Sequence, residues 1–122
     1  MKLYESAQDY LERILVLTKN NNQVRSIDLA NDMGYTKQSI SRAIKKLKED
    51  ELITVDKNGF LNLTEKGTNI ASQIYERHLV ITKFLISIGV SEEVALHDAC
   101  KMEHDISDES FNAFKNILQK NN

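Results

Sequence analysis

The spacing of apolar residues predicts a mostly helical chain. Near the start, apolar side chains recur three and four positions apart, which predicts a first helix from Tyr4 to about Lys19. The apolar stripe of that helix consists of Ala7, Tyr10, Leu11, Ile14 and Leu15. The sequence contains no proline, so nothing in its composition interrupts long helices.

A helix-turn-helix is predicted next. Ser26 is a candidate N-cap for a short helix ending at Met33, and Gly34 lies where a left-handed C-cap would be needed. Thr36 is the expected N-cap of the following helix, whose apolar residues share one side. Those residues are Ile40, Ala43, Ile44 and Leu47. Two short helices joined by a three-residue turn form a helix-turn-helix.

Two short apolar runs after this motif predict a β-hairpin. They cover residues 52–55 and 60–63 and flank a polar stretch that contains Gly59. A two-residue turn would divide the apolar side chains between both faces, whereas a three-residue loop pairs Val55 with Leu61 on one face. We therefore expect the three-residue loop, with Gly59 left-handed. A helix-turn-helix followed by a hairpin is a winged helix.

The polar face of the third helix carries donors suited to phosphates and base edges. No acid occurs between Thr36 and Lys48, which include five basic residues. A basic helical face is often merely solvated, but the adjacent hairpin favours DNA binding. The candidate DNA contacts are Thr36, Lys37, Gln38, Ser39, Ser41, Arg42, Lys45 and Lys46, with Lys57 at the hairpin tip.

The second half of the chain predicts three more helices. Thr64 opens a long helix reaching to about Ser87, which is apolar on more than one face. Burial on two sides is therefore expected, and a second copy of the chain could cover one of them. Ser91 and Ser107 are candidate N-caps for two further helices.

Metal-competent side chains recur at helical spacing. On a helix, positions i, i+3 and i+4 share one face, so Cys100, Glu103 and His104 would direct a thiolate, a carboxylate and an imidazole to one point. Asp9 and Glu12, also three apart, would add two carboxylates from the first helix. The alternatives are structural: a lone cysteine is more often a small core residue, and acids near a helix start are favoured by its dipole.

Composition narrows the functional classes. The chain has 122 residues and a net charge of −2, so it is not a uniformly basic nucleic-acid binder. The charge is uneven, because residues 89–112 carry seven acids against one lysine. A single cysteine cannot form an internal disulfide, and no stretch resembles a leader or a membrane span. We expect a cytoplasmic protein without a membrane partner.

Four motifs, in this order, resemble the DtxR/MntR family of metal-dependent transcriptional repressors. They are Asp9-Tyr10-Leu11-Glu12, Leu63-Thr64-Glu65-Lys66-Gly67, Glu76-Arg77-His78 and the stretch from Ala99 to Asp108. The resemblance covers nearly the whole chain and implies a winged-helix DNA-binding domain over residues 1–64 and a helical metal-binding and dimerisation domain over residues 65–122. It further implies a homodimer that binds a palindromic operator in double-stranded DNA and represses metal-uptake genes when metal binds. Within the family, the chain resembles the short manganese-regulator branch that has no SH3-like domain.

The resemblance also implies a metal-binding set. It consists of Asp9, Glu12, His78, Cys100, Glu103 and His104. The manganese branch has Glu at the position of Cys100, whereas the iron branch has Cys there but lacks acids matching Asp9 and Glu12. Carboxylates favour Mn(II) and a thiolate favours softer ions, so Mn(II) or Fe(II) is expected. His97 is interpreted as a surface histidine or a support for a ligand.

Two other functional classes fit the sequence less well. A winged-helix regulator of the MarR type, gated by an organic ligand or by oxidation of Cys100, would not need Asp9 and Glu12 together. A metal-dependent hydrolase would need a catalytic motif, and the sequence has neither that nor a Gly-rich phosphate loop. We therefore expect a regulator that is not an enzyme and takes no organic substrate.

Overall fold

The computed structural model describes residues 5–21 and 23–120, and over these it contains six helices and one hairpin. The elements are α1 (Glu5–Asn21), α2 (Ser26–Met33), α3 (Lys37–Glu49), β1 (Ile53–Val55), β2 (Leu61–Leu63), α4 (Glu65–Ser87), α5 (Glu92–Met102) and α6 (Asp108–Lys120). They form two compact units that divide between Ser72 and Gln73, inside α4. The mostly helical architecture is as predicted. Tyr4, the predicted start of α1, lies outside the described residues.

The core of the first unit is built from the predicted apolar stripes. Leu11, Ile14 and Leu15 of α1 are buried, and α1 packs on α2, α3 and β2. The remaining buried side chains of this core include Leu29, Ile40, Ile44, Leu47, Leu52, Ile53 and Leu61. Arg13 of α1 also forms two hydrogen bonds with the Asp32 carboxylate of α2, at 2.7 and 2.9 Å. Helix α1 is therefore attached to the helix-turn-helix by both apolar and ionic contacts.

The helix caps are partly those expected. Thr36 Oγ1 accepts the Ser39 backbone N–H at 3.1 Å, and Gly34 is left-handed with φ 70°. The prediction that Ser26 caps α2 is wrong, because Arg25 holds the N-cap position. The Arg25 backbone N–H donates to the Asp28 carboxylate at 2.9 Å, so an acid in the first turn replaces the expected hydroxyl cap.

The hairpin has the predicted register. Ile53 pairs with Leu63 and Val55 with Leu61, and Gly59 is left-handed with φ 84°. The loop is held by Asp56, whose Oδ1 accepts the backbone N–H groups of Asn58 and Phe60 at 2.9 and 3.0 Å. This local carboxylate fixes the three-residue loop and exposes its tip.

The start of α4 is packed closely against the residues that precede β1. Thr64 Oγ1 accepts the Gly67 N–H at 3.1 Å and donates to the Glu51 carbonyl at 2.8 Å. A Cβ at Gly67 would lie 2.0 Å from the Leu52 carbonyl oxygen. Only glycine therefore fits this position without moving backbone.

The second unit has its own small core. Ile81, Ala99 and Phe111 are buried together, and Phe84 and Phe114 stack with ring centroids 4.2 Å apart. The predicted caps of α5 and α6 are confirmed, because the hydroxyls of Ser91 and Ser107 accept N–H groups of the first turns. Among the described helices, none combines the length and apolar character needed to cross a bilayer.

Candidate metal centre and nucleic-acid interface

The second unit brings three of the predicted ligands together. His78 lies on α4, Cys100 on α5, and Glu103 immediately after α5. His78 Nδ1 is 3.0 Å from Glu103 Oε2, and Cys100 Sγ is 3.9 Å from the same nitrogen. One ligand atom from each residue lies within 4.8 Å of the others. A nitrogen, a thiol sulfur and a carboxylate oxygen at this spacing suit a borderline divalent transition metal.

His104 lies on the other side of the same carboxylate. Its Nε2 is 3.5 Å from Glu103 Oε1, so the two oxygens of Glu103 face different histidines. The side chain of Glu103 is 1% exposed and that of His104 3%. A buried carboxylate is costly unless cations or donors surround it. Glu103 is therefore at the electrostatic centre of this cluster.

The helical spacing of Cys100, Glu103 and His104 predicts that one helix carries all three, and for Glu103 and His104 this is wrong. Helix α5 ends at Met102, and Glu103 is its C-cap, with its N–H bonded to the Ala99 carbonyl at 3.0 Å. His104 belongs to the turn that follows. Glu103 retains helical backbone angles, so the expected side-by-side placement with Cys100 survives, while the turn sets the position of His104.

Helix α1 carries the two remaining predicted ligands. Asp9 is partly buried and Glu12 is 7% exposed. Residues three apart lie on one side of a helix, so the two carboxylates share a face of α1. Glutamates are rarely this buried, and the burial of Glu12 exceeds what a merely solvated acid would show.

Cys100 could have been either a metal ligand or a small core residue. This residue is exposed and lies beside His78, so it is not a core cysteine. His97 is likewise exposed, as expected of a surface histidine.

Arg77 is a residue of this region to which the sequence assigned no role. Its guanidinium donates to the carbonyls of Glu103 and Ile106 at 3.2 and 2.7 Å. Its only signal in the sequence is its place directly before His78. Thr82, also without an assigned role, donates its hydroxyl to the His78 carbonyl at 2.7 Å.

The candidate DNA contacts form an accessible surface on the first unit. The exposed members are Thr36, Lys37, Gln38, Ser41, Arg42, Lys45, Lys46 and Lys57, while Ser39 is partly buried. Thr36 and Ser39 are engaged with each other in the cap of α3. Lys45 also lines an open groove between α3 and β1, together with Ser41 and Lys48. Lys48 is not among the predicted DNA contacts.

An aromatic pair lies beside this surface. Tyr35, in the turn before α3, is 50% exposed, and its ring contacts Tyr10 of α1 edge-on at a centroid distance of 6.0 Å. Burial raises the pKa of the Tyr10 hydroxyl, the nearby Tyr35 and Asp9 raise it further, and the Arg42 guanidinium opposes the shift. Asp9, a candidate metal ligand, and Arg42, a candidate DNA contact, therefore shift the pKa of Tyr10 in opposite directions.

Two family models match the chain in sequence order. Residues 2–61 match the model described as iron dependent repressor, N-terminal DNA binding domain. Residues 64–122 match the model described as iron dependent repressor, metal binding and dimerisation domain. These matches give no support to the MarR-type alternative.

Individual relatives agree with the family models. The transcriptional regulator MntR of Escherichia coli O6:H1 is 34% identical over 116 residues, which is 95% of this chain and 75% of that protein. The HTH-type transcriptional regulator MntR of Listeria welshimeri is 32% identical over 93% of this chain and 80% of its own length.

A solved manganese-dependent transcriptional repressor in complex with manganese superposes with a TM-score of 0.84 at 28% identity. That likeness covers 93% of this chain and 52% of the other, so the chain spans about half the length of the solved repressor. The matched models and relatives together show that the chain belongs to the iron dependent repressor family of metal-dependent, DNA-binding transcriptional regulators.

Proposed function

We propose that this protein represses transcription when a divalent metal ion binds to a defined set of side chains. The set consists of Asp9, Glu12, His78, Cys100, Glu103 and His104. The observation that carries the proposal is the grouping of His78, Cys100 and Glu103, whose ligand atoms lie within 4.8 Å of one another. We include Asp9 and Glu12 in the set because of their sequence position, their shared face on α1 and the burial of Glu12.

The donor set favours Mn(II) or Fe(II). Carboxylate oxygens suit Mn(II), imidazole suits most first-row ions, and a thiolate shifts preference toward Fe(II), Co(II) or Zn(II). A solved relative is described as a manganese-dependent repressor in complex with manganese. The carboxylates of the proposed set favour Mn(II) in the same way, while the thiolate of Cys100 favours Fe(II).

The mechanism we propose is electrostatic assembly. Without metal, the carboxylates of Asp9, Glu12 and Glu103 repel one another and disfavour the arrangement that binds DNA. The bound ion removes this repulsion and fixes α1, and with α1 the α3 helix that is packed in the same unit. Metal activates only to the extent that it binds the DNA-competent state more tightly.

We place the boundary between the DNA-binding and metal-binding domains at residues 64/65, one residue after the second matched stretch begins. The acting species would be a cytoplasmic homodimer on a palindromic operator, with half-sites about 34–36 Å apart. We propose metal-uptake genes as its targets and expect no catalytic activity.

The deciding experiment is a DNA mobility-shift assay on the protein's own promoter. Chelator should abolish the shift, and Mn(II) or Fe(II) should restore it. Glu103→Ala and His104→Ala should lose the metal response while remaining folded dimers, because each removes a donor from the cluster.

His97→Ala is the matched control, since it removes an exposed imidazole from α5 outside the proposed set. A Glu103→Ala protein that shifts DNA with the wild-type metal dependence would show that the site is misassigned.

A further inference from the structure

Arg77 of α4 contacts the turn between α5 and α6 at several points. Its guanidinium donates to the carbonyls of Glu103 and Ile106, at 3.2 and 2.7 Å, and to the Asp108 carboxylate. The same group lies 5.4 Å from the centre of the Phe111 ring. One side chain therefore spans the whole segment that follows α5.

The carbonyl contacts are the stronger part of this arrangement. Carbonyls at and beyond the end of a helix have no partners within it, and a guanidinium supplies charged donors in a fixed fork. The Arg77 side chain is 18% exposed, so water competes weakly for these bonds. Asp108 is 89% exposed, and an ion pair there contributes little.

The turn held by Arg77 carries two of the proposed ligands. Within the turn, the N–H groups of Asp105 and Ile106 both donate to the Met102 carbonyl, at 3.1 and 3.0 Å. These bonds close the turn, while Arg77 ties it to α4 one residue before His78. The distance between His78 Nδ1 and Glu103 Oε2 thus depends on a contact outside the ligand set.

We infer that Arg77 is a positioning residue for metal binding. It holds the turn from Glu103 to Ile106 against α4, so that the Glu103 carboxylate lies between His78 and His104 before any ion binds. This inference rests on the proposed function, because it presumes that these side chains bind the ion. Groups that orient metal ligands typically change metal affinity by about 10–100-fold when removed.

The test compares Arg77→Met, Arg77→Lys and the control Lys115→Met in the full chain. Met keeps an apolar stem of similar length and removes every donor, and Lys keeps the charge without the fork. Lys115 of α6 pairs with Glu76 of α4 at 3.0 Å. Its loss removes an ion pair between α4 and α6, the two helices that the Arg77–Asp108 pair also joins, without touching the turn.

Two measurements are made on each protein. In metal-free protein, hydrogen exchange at the Asp105 and Ile106 amides reports whether the turn is held. Titration with Co(II), followed by its visible absorption, reports affinity and ligand geometry.

We expect Arg77→Met to speed exchange at both amides and to weaken Co(II) binding by about tenfold or more. Arg77→Lys should resemble Arg77→Met, and Lys115→Met should resemble wild type. Unchanged Co(II) affinity in Arg77→Met would overturn the inference, even if exchange increased. Wild-type exchange and wild-type Co(II) affinity in Arg77→Lys would overturn it too. If wild type itself binds no Co(II), the proposed metal function fails instead.

Discussion

Cys100 is the residue that distinguishes this site chemically. Sequence alone left open whether it was a ligand or a core residue, because both fates are common for a single cysteine. The structure leaves it exposed, 3.9 Å from His78 Nδ1, where a thiolate could bind the same ion as the imidazole. Its softness is therefore the feature most able to change metal preference.

Replacing Cys100 with glutamate should shift the preference toward Mn(II). Cys100→Glu gives an oxygen and nitrogen donor set, so Mn(II) should activate DNA binding at lower concentration and Co(II) at higher concentration than in wild type. Cys100→Ser should weaken the soft ions most. Wild type should show a sulfur-to-metal charge-transfer band with Co(II), and both variants should lack it.

His97→Ala is the control for this series, since it alters α5 without removing a proposed donor. An absent band in wild type, combined with an unchanged metal preference in Cys100→Glu, would leave sulfur out of the site.

At the scale of elements, the sequence pattern predicted the hairpin register correctly and the cap of α2 incorrectly. The hairpin register followed from alternation, because one offset alone placed Ile53, Val55, Leu61 and Leu63 on the same face, and it was confirmed. The cap of α2 was missed because Ser26 suggested a hydroxyl cap, whereas the Asp28 carboxylate already binds the Arg25 N–H.

The end of α5 could not be predicted in this way. Residues 103 and 104 are compatible with helix, and no glycine or proline follows them. The backbone leaves the helix after Met102, and Arg77, 26 residues earlier in the chain, donates a hydrogen bond to the Glu103 carbonyl. Such a long-range contact leaves no periodic trace in the sequence, so the ligand types were predictable but the geometry that presents His104 was not.

The contact between α4 and Leu52, the residue before β1, predicts an unusual effect of one substitution on stability. Gly→Ala within a helix is ordinarily stabilising by up to about 1 kcal/mol. At Gly67 the sign should reverse, because the added Cβ would lie 2.0 Å from the Leu52 carbonyl oxygen. We expect Gly67→Ala to lower the free energy of unfolding by about 1–3 kcal/mol in a urea titration.

Thr68→Ala is a suitable control for Gly67→Ala, since it changes the next residue of the same helix at an exposed position. It should leave the unfolding midpoint nearly unchanged. Equal or greater stability in Gly67→Ala would mean that α4 can move away from Leu52 at little cost.

At the scale of the whole molecule, metal binding and DNA binding are coupled equilibria. The chain carries a DNA-binding domain and a metal-binding and dimerisation domain of one repressor family. If metal raises operator affinity by some factor, operator DNA must raise metal affinity by the same factor. A coupling of about 5–150-fold is typical of such systems.

We therefore expect the operator to lower the Mn(II) concentration that half-saturates the protein. Mn(II) titrations with and without excess operator duplex would measure the factor directly, and mobility shifts with and without metal should give the same factor. Arg42→Ala serves as the control, because Arg42 is exposed on α3 and lies outside the proposed ligand set. In that variant, Mn(II) should bind the free protein as in wild type, while operator binding weakens by about 1–3 kcal/mol if a base contact is lost. Equal Mn(II) affinity with and without operator, together with operator shifts that are the same with and without Mn(II), would show that the two equilibria are uncoupled and would contradict the assembly mechanism.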